Sequence, residues 1–123
     1  MAVFSDMSSD RTFTDYARRT SDDEIAQLEA LLTENPEDIN ILDWVAFTHY
    51  SNSNYPRAIE LYERLLAKEP QTASFHYFLA NALFKSGRHD EARRSWERAI
   101  ELDVKGKFSR KARERLQLLD QGD

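Results

Sequence analysis

The chain contains no cysteine, and only three glycines and three prolines among its 123 residues. Without cysteine there is no disulfide and no thiolate metal site. Gly87, Gly106 and Gly122 lie far apart, so no glycine-rich loop is available to cradle a phosphate. No stretch approaches the roughly 20 apolar residues of a membrane-spanning helix, and the first residues, MAVFSDMSSDRT, lack a charged segment followed by an apolar one. The three histidines, His49, His76 and His89, show no His-x-x-x-His or carboxylate-rich ligand spacing. No nucleophile, base and oxyanion donor assemble from neighbouring positions. The expectation is a soluble, cytoplasmic protein that is not an enzyme and carries no metal and no cofactor.

What the chain has is charge and helical periodicity. Charged residues make up 32% and hydrophobic residues 41%, enough for a modest core in one domain. The net charge of −5 is graded along the chain. Residues 21–36 carry five acids and no base, whereas residues 105–123 carry six bases and three acids. Such a gradient suits solubility and the helix dipoles, and it would also suit head-to-tail association. The sequence as a whole is acidic, with a pI near 5.2. The basic cluster at 105–115 therefore reads as the outer face of a helix, and nucleic acid is not an expected partner.

Residues 71–104 read as two amphipathic helices around a tight turn. Phe75, Phe78, Leu79, Ala82 and Leu83 recur at helical spacing, and so do Ala92, Trp96, Ala99 and Ile100. Gly87 between them can take positive φ and reverse the chain, and Asp90 is a cap or first-turn acid for the second helix. Residues 37–70 repeat this pattern at the same length of 34. Ala46 falls on Ala80, Ala58 on Ala92, Tyr62 on Trp96, and Glu63-Arg64 on Glu97-Arg98; Asn52-Ser53-Asn54 falls on Ser86-Gly87-Arg88. A fixed period of this length with helix–turn–helix content signals a stacked repeat.

These residues resemble the tetratricopeptide-repeat (TPR) family. In the second unit Leu79-Ala80, Leu83, Gly87, Ala92 and Trp96 match the family pattern. Val45-Ala46, Ala58, Tyr62 and Pro70 match it in the first, with Ser53 in place of the usual glycine and His49 in place of an aromatic or leucine. The resemblance implies an all-α fold: antiparallel helical hairpins stacked as a short right-handed TPR solenoid. Residues 21–36 take the place of a second helix, opened by the capping box Ser21-Asp22-Asp23-Glu24 and stopped at Asn35-Pro36. Repeats follow at 37–70 and 71–104, and a C-terminal capping helix at 105–121 carries the stripe Phe108, Ala112, Leu116, Leu119. Residues 1–20 form an arm, mobile at its start, with a short helix near 11–19.

The resemblance also implies a function. First helices of such repeats line a concave surface that holds a peptide or helix of a partner protein. On this chain that face comprises Asn40, Asp43, Phe47, Tyr50 and Ser51, then Ser74, Tyr77, Asn81, Phe84 and Lys85. Some family members clamp acidic chaperone tails with lysines, asparagines and an arginine. Asn81 matches that clamp, but Asp43 and Tyr77 replace lysines, so a ligand with aromatic or aliphatic anchors and a basic group fits better. An adaptor, scaffold or co-chaperone is the leading expectation. The alternatives are a self-assembling unit, as homodimer or stacked array, and a small secretion-type chaperone.

Overall fold

Ser21 starts the first helix by accepting a hydrogen bond from the Glu24 N–H at 3.2 Å, while the Glu24 carboxylate accepts from the Ser21 N–H at 3.0 Å. The capping box thus closes in both directions, and helix α1 runs over Asp22–Glu34. The computed structural model describes residues 20–121; the arm expected over residues 1–20 lies outside them, apart from Thr20. Asp38 caps α2, Ile39–Ser51, by accepting from the N–H groups of Asn40 and Ile41. Pro56 sits in the first turn of α3, Tyr55–Lys68, where a missing N–H leaves nothing unsatisfied. Helix α4 follows at Ala73–Lys85, α5 at His89–Leu102 with Asp90 in its first turn, and α6 at Lys107–Gln121.

The described residues form an all-α stack in which each helix packs on the next, and α4 also touches α6. Alanine permits the closest crossings: Ala46, Ala58, Ala80, Ala92, Ala99 and Ala112 are all fully buried. The gaps between crossings are filled by Tyr62 and Trp96, together with Leu42, Leu61 and Leu65. First helices start at residues 39, 73 and 107, so α6 keeps the period of 34 and occupies the place of a further first helix. Ser109, fully buried, docks it by donating to the carbonyls of Ala99 (3.1 Å) and Asp103. Arg93 ties its far end through Asp120 at 2.6 Å.

Both hairpin turns use one backbone device. Asn54 N–H bonds the His49 carbonyl and Ser53 N–H the Tyr50 carbonyl; Arg88 and Gly87 repeat this with Leu83 and Phe84. This double bond pattern needs a left-handed residue at its centre, and Ser53 (φ 64°) and Gly87 (φ 82°) supply it. The family glycine is therefore absent from the first turn in sequence only, while its conformation is retained.

A polar knot fastens α1. Glu29 accepts two bonds from Arg57, at 2.7 and 2.9 Å, and lies 2.7 Å from His49 Nε2. Asn54 Nδ2 lies 3.0 Å from the other ring nitrogen, and Arg57 also reaches Glu60 at 2.9 Å. His49, at the position where an aromatic or leucine was expected, is buried because this knot satisfies both of its nitrogens. The Arg57 bonds, with His49 adding to them, overcome burial and hold the Glu29 carboxyl down at about 2.

Ser53→Gly should stabilise the fold by about 0.5 kcal/mol, since it relieves a left-handed side chain at a small entropic loss, and Gly87→Ala should destabilise it by about 1 kcal/mol. A Cβ at Gly87 would meet nothing within 4 Å, so backbone strain alone sets that loss. Urea titration measures both. For Glu29, a folded value below the free one means stability that is complete above about pH 4.5 and is lost as pH falls toward 2. Solvent screening limits the effect to about 1–2 kcal/mol, and Glu29→Gln should flatten this part of the stability–pH curve.

Candidate functional site

The face offered by α2, α4 and α6 is built around aromatic rings. Phe78 is the hub, with ring centroids 5.2 Å from Tyr50, 5.3 Å from Phe47, 5.3 Å from Tyr77, 5.7 Å from Phe108 and 6.0 Å from Tyr62. Most of these pairs are edge-on or tilted, the arrangement that ring quadrupoles favour. Phe47, Tyr50, Phe78 and Phe108 are half-buried, so the cluster keeps part of its surface toward solvent.

The expected groove residues separate into four groups. Asp43, Phe47 and Tyr50 lie together on α2, half-buried, while Asn40 is exposed in the first turn of α2 and Lys85 at the C-terminal end of α4. Tyr77 and Asn81 are buried, unlike the open positions anticipated for them. Phe108 of α6 covers Tyr77 at 5.6 Å between centroids. Asn81 is committed internally: its Nδ2 donates to the Tyr50 hydroxyl at 3.0 Å, and its Oδ1 accepts from Trp96 Nε1 at 3.0 Å. Phe84 points away from the hub and stacks on His89 at 4.6 Å and against Trp96 at 5.7 Å.

Phe78 and Phe108 are the site residues that the sequence reading missed. Phe78 looks like one more core position on its helix. Phe108 looks like part of a capping stripe, although its place 34 residues after Ser74 gives it the register of an expected groove residue on a further first helix. Lys107 and Lys111 hold their ammonium groups 5.2 and 5.9 Å from the Phe108 ring centre.

The face is electrically uneven. Burial first, and the charge of Glu69 second, raise the carboxyl of Asp43 above its ordinary value. Burial first, with Asp43 adding to it, lifts the phenol of Tyr62 well above its own. The Tyr62 hydroxyl is buried and has no hydrogen-bond partner among the described residues. Across the cluster, Lys111 and Arg115 bring positive charge on α6. Burial also raises the Tyr50 phenol, against the bond from Asn81. Among the described residues no group of three or more His, Cys, Asp or Glu side chains could hold a metal ion, and no helix is long and apolar enough to cross a membrane.

Comparison with known proteins agrees with this geometry. A family model described as Tetratricopeptide repeat matches residues 48–106. Among solved structures, the chain named MamA MSR-1 C2 superposes with a TM-score of 0.65 and 25% identity. The match covers 78% of this chain and 57% of that one, so this chain spans little more than half the length of that neighbour. The chain thus resembles the tetratricopeptide-repeat family in sequence over residues 48–106 and in fold. No curated protein matches it. A tetratricopeptide-repeat array is in general a protein–protein interaction module, and the ring cluster joins residues of α2, α4 and α6.

Asn81 is the test of how this face is held. Asn81→Ala should strand the buried Trp96 N–H and free the Tyr50 hydroxyl, with a loss of about 2 kcal/mol. Thermal unfolding followed by tryptophan emission should show the lower midpoint, and Asn81→Gln should recover little of it, because the longer side chain shifts both bonds.

Proposed function

We propose that this protein is an adaptor or scaffold that holds a segment of a partner protein across the aromatic face of α2, α4 and α6. The observation that carries the reading is the half-exposed ring cluster around Phe78 with the half-buried Asp43 beside it on α2. Rings provide large contact area at little loss of side-chain freedom, and they anchor apolar or aromatic side chains. Asp43 forms no ion pair among the described residues and sits in surroundings that disfavour its charge. A lysine or arginine of the partner would stabilise that carboxylate. At the α6 end, Lys111 and Arg115 favour an acidic group. The segment best suited is therefore short, with one or two apolar anchors, a basic residue toward α2 and an acidic one toward α6. A co-chaperone role of the acidic-tail type is disfavoured, because Asp43 would repel a terminal carboxylate.

A peptide library displayed against the purified full chain tests this. Selected peptides should combine an apolar anchor with a basic residue. Phe47→Ala should weaken their binding about tenfold, and Asp43→Lys should abolish the basic preference while leaving helicity unchanged, as followed by calorimetry and circular dichroism. Peptides that bind both variants as they bind the natural chain would refute the assignment.

A further inference from the structure

The two hairpins carry a ring at the same register position and finish its polar edge differently. In the second hairpin Trp96 donates its Nε1–H to Asn81 Oδ1 at 3.0 Å. One period of 34 earlier the ring is Tyr62, and the place of Asn81 is taken by Phe47. A phenyl ring offers no hydrogen-bonding atom, so the side chain that satisfies Trp96 has no equivalent for Tyr62. The Tyr62 hydroxyl is fully buried and has no hydrogen-bond partner among the described residues. A buried hydroxyl in this state is costly, and it points to a group that arrives from outside.

Asp43 stands beside that hydroxyl. It lies one helical turn before Phe47 on α2. Its charge acts on the Tyr62 phenol. The charge of Glu69, two turns after Tyr62 at the C-cap of α3, acts in turn on Asp43. Asp43 is half-buried, so the pair has one side toward solvent, with the hydroxyl at its floor.

We propose that the Asp43 carboxylate and the Tyr62 hydroxyl form a subsite for a primary ammonium group, the side chain of a lysine in the partner segment. This subsite belongs to the binding face proposed above and rests on that reading. A lysine ammonium is compact, and its three donors turn freely about the stem. It can give one N–H to the Asp43 carboxylate and another to the Tyr62 oxygen. An arginine guanidinium is planar and holds its donors in a rigid fork, which suits the two oxygens of one carboxylate at the open edge. Taking an ammonium out of water is costly, and the carboxylate offsets that best when the second acceptor is engaged as well. The hydroxyl therefore selects lysine over arginine, whereas Asp43 alone selects only positive charge.

The experiment uses the full chain and three pools of hexapeptides. Each pool has one fixed central residue, lysine, arginine or acetyl-lysine, among mixed apolar residues. Binding is followed by NMR through the carboxyl carbon of Asp43 and the ring signals of Tyr62. The lysine pool should move both signals and bind about tenfold more tightly than the arginine pool, and the acetyl-lysine pool should leave Asp43 unmoved. Tyr62→Phe keeps the ring and removes only the unpartnered hydroxyl, so its unfolding midpoint should equal or exceed that of the natural chain. In that variant the advantage of lysine should disappear while Asp43 still responds to both basic pools. Three results would each overturn the proposal. They are a lysine advantage that survives Tyr62→Phe, an arginine pool held at least as tightly as the lysine pool, and a lowered midpoint, which would give the hydroxyl a partner inside the fold. Pools that bind nowhere on the ring face remove the wider reading together with the subsite. Pools that bind there, weaken with Phe47→Ala and ignore the central residue remove the subsite alone and leave the hydroxyl to water.

Discussion

The whole structure depends on one contact: a bulky ring on the second helix of each hairpin, set into a hollow that alanine makes. Trp96 and Tyr62 are essentially without solvent exposure, and Ala46, Ala58, Ala80 and Ala92 let the paired helices close around them. Interiors are packed to near-crystal density, so the volume of the ring and the smallness of the alanines are fixed together. Because the same contact recurs after 34 residues, the array inherits a regular spacing, and that spacing places α6 as a first helix. The ring on α5 is also polar at one edge. Its N–H reaches Asn81, and Asn81 reaches Tyr50, so the packing that builds one hairpin also orients a side chain on the face of the previous one. Fold and candidate site are joined through that single amide.

Much of this was legible because it is local or periodic. The capping box at Ser21 and Glu24, the cap at Asp38, Pro56 in a first turn and the alanine–aromatic register all depend on residues close in sequence or one period apart. Ser53 shows how far local chemistry reaches: its residue type argued against the family pattern, but the same left-handed turn formed, because the backbone bonds of the hairpin outweigh about 1–2 kcal/mol of strain. Other features rest on contacts that sequence spacing does not report. The crossing of α6 over α4 brings Phe108 onto Tyr77 and Phe78 and so covers a residue expected to be open. Asn81 was read as a groove residue because its position fits, yet the competing partners, Trp96 and Tyr50, were not identifiable from its neighbours in the chain. His49, Glu29 and Arg57 belong to three helices, and their knot appears only once α1 has docked.

The two ends of the array solve the same problem with different chemistry. A stack of repeats needs an outer helix whose far side is polar, since otherwise an apolar surface faces water. At the C-terminal end α6 meets that requirement: Ser109 and Ala112 are buried against α5, while Lys107, Arg110, Lys111, Glu114 and Arg115 are exposed. At the other end α1 carries an acidic, largely exposed surface, but α2 beside it leaves Trp44 only half covered. An exposed indole in a register position where the next unit half-buries a phenyl ring is a site that another apolar group can cover at a gain of about 1–2 kcal/mol. The coverage of Phe78 shows what such a group looks like: Phe47 and Tyr50, two rings about one helical turn apart, with the Tyr62 ring stacked beneath.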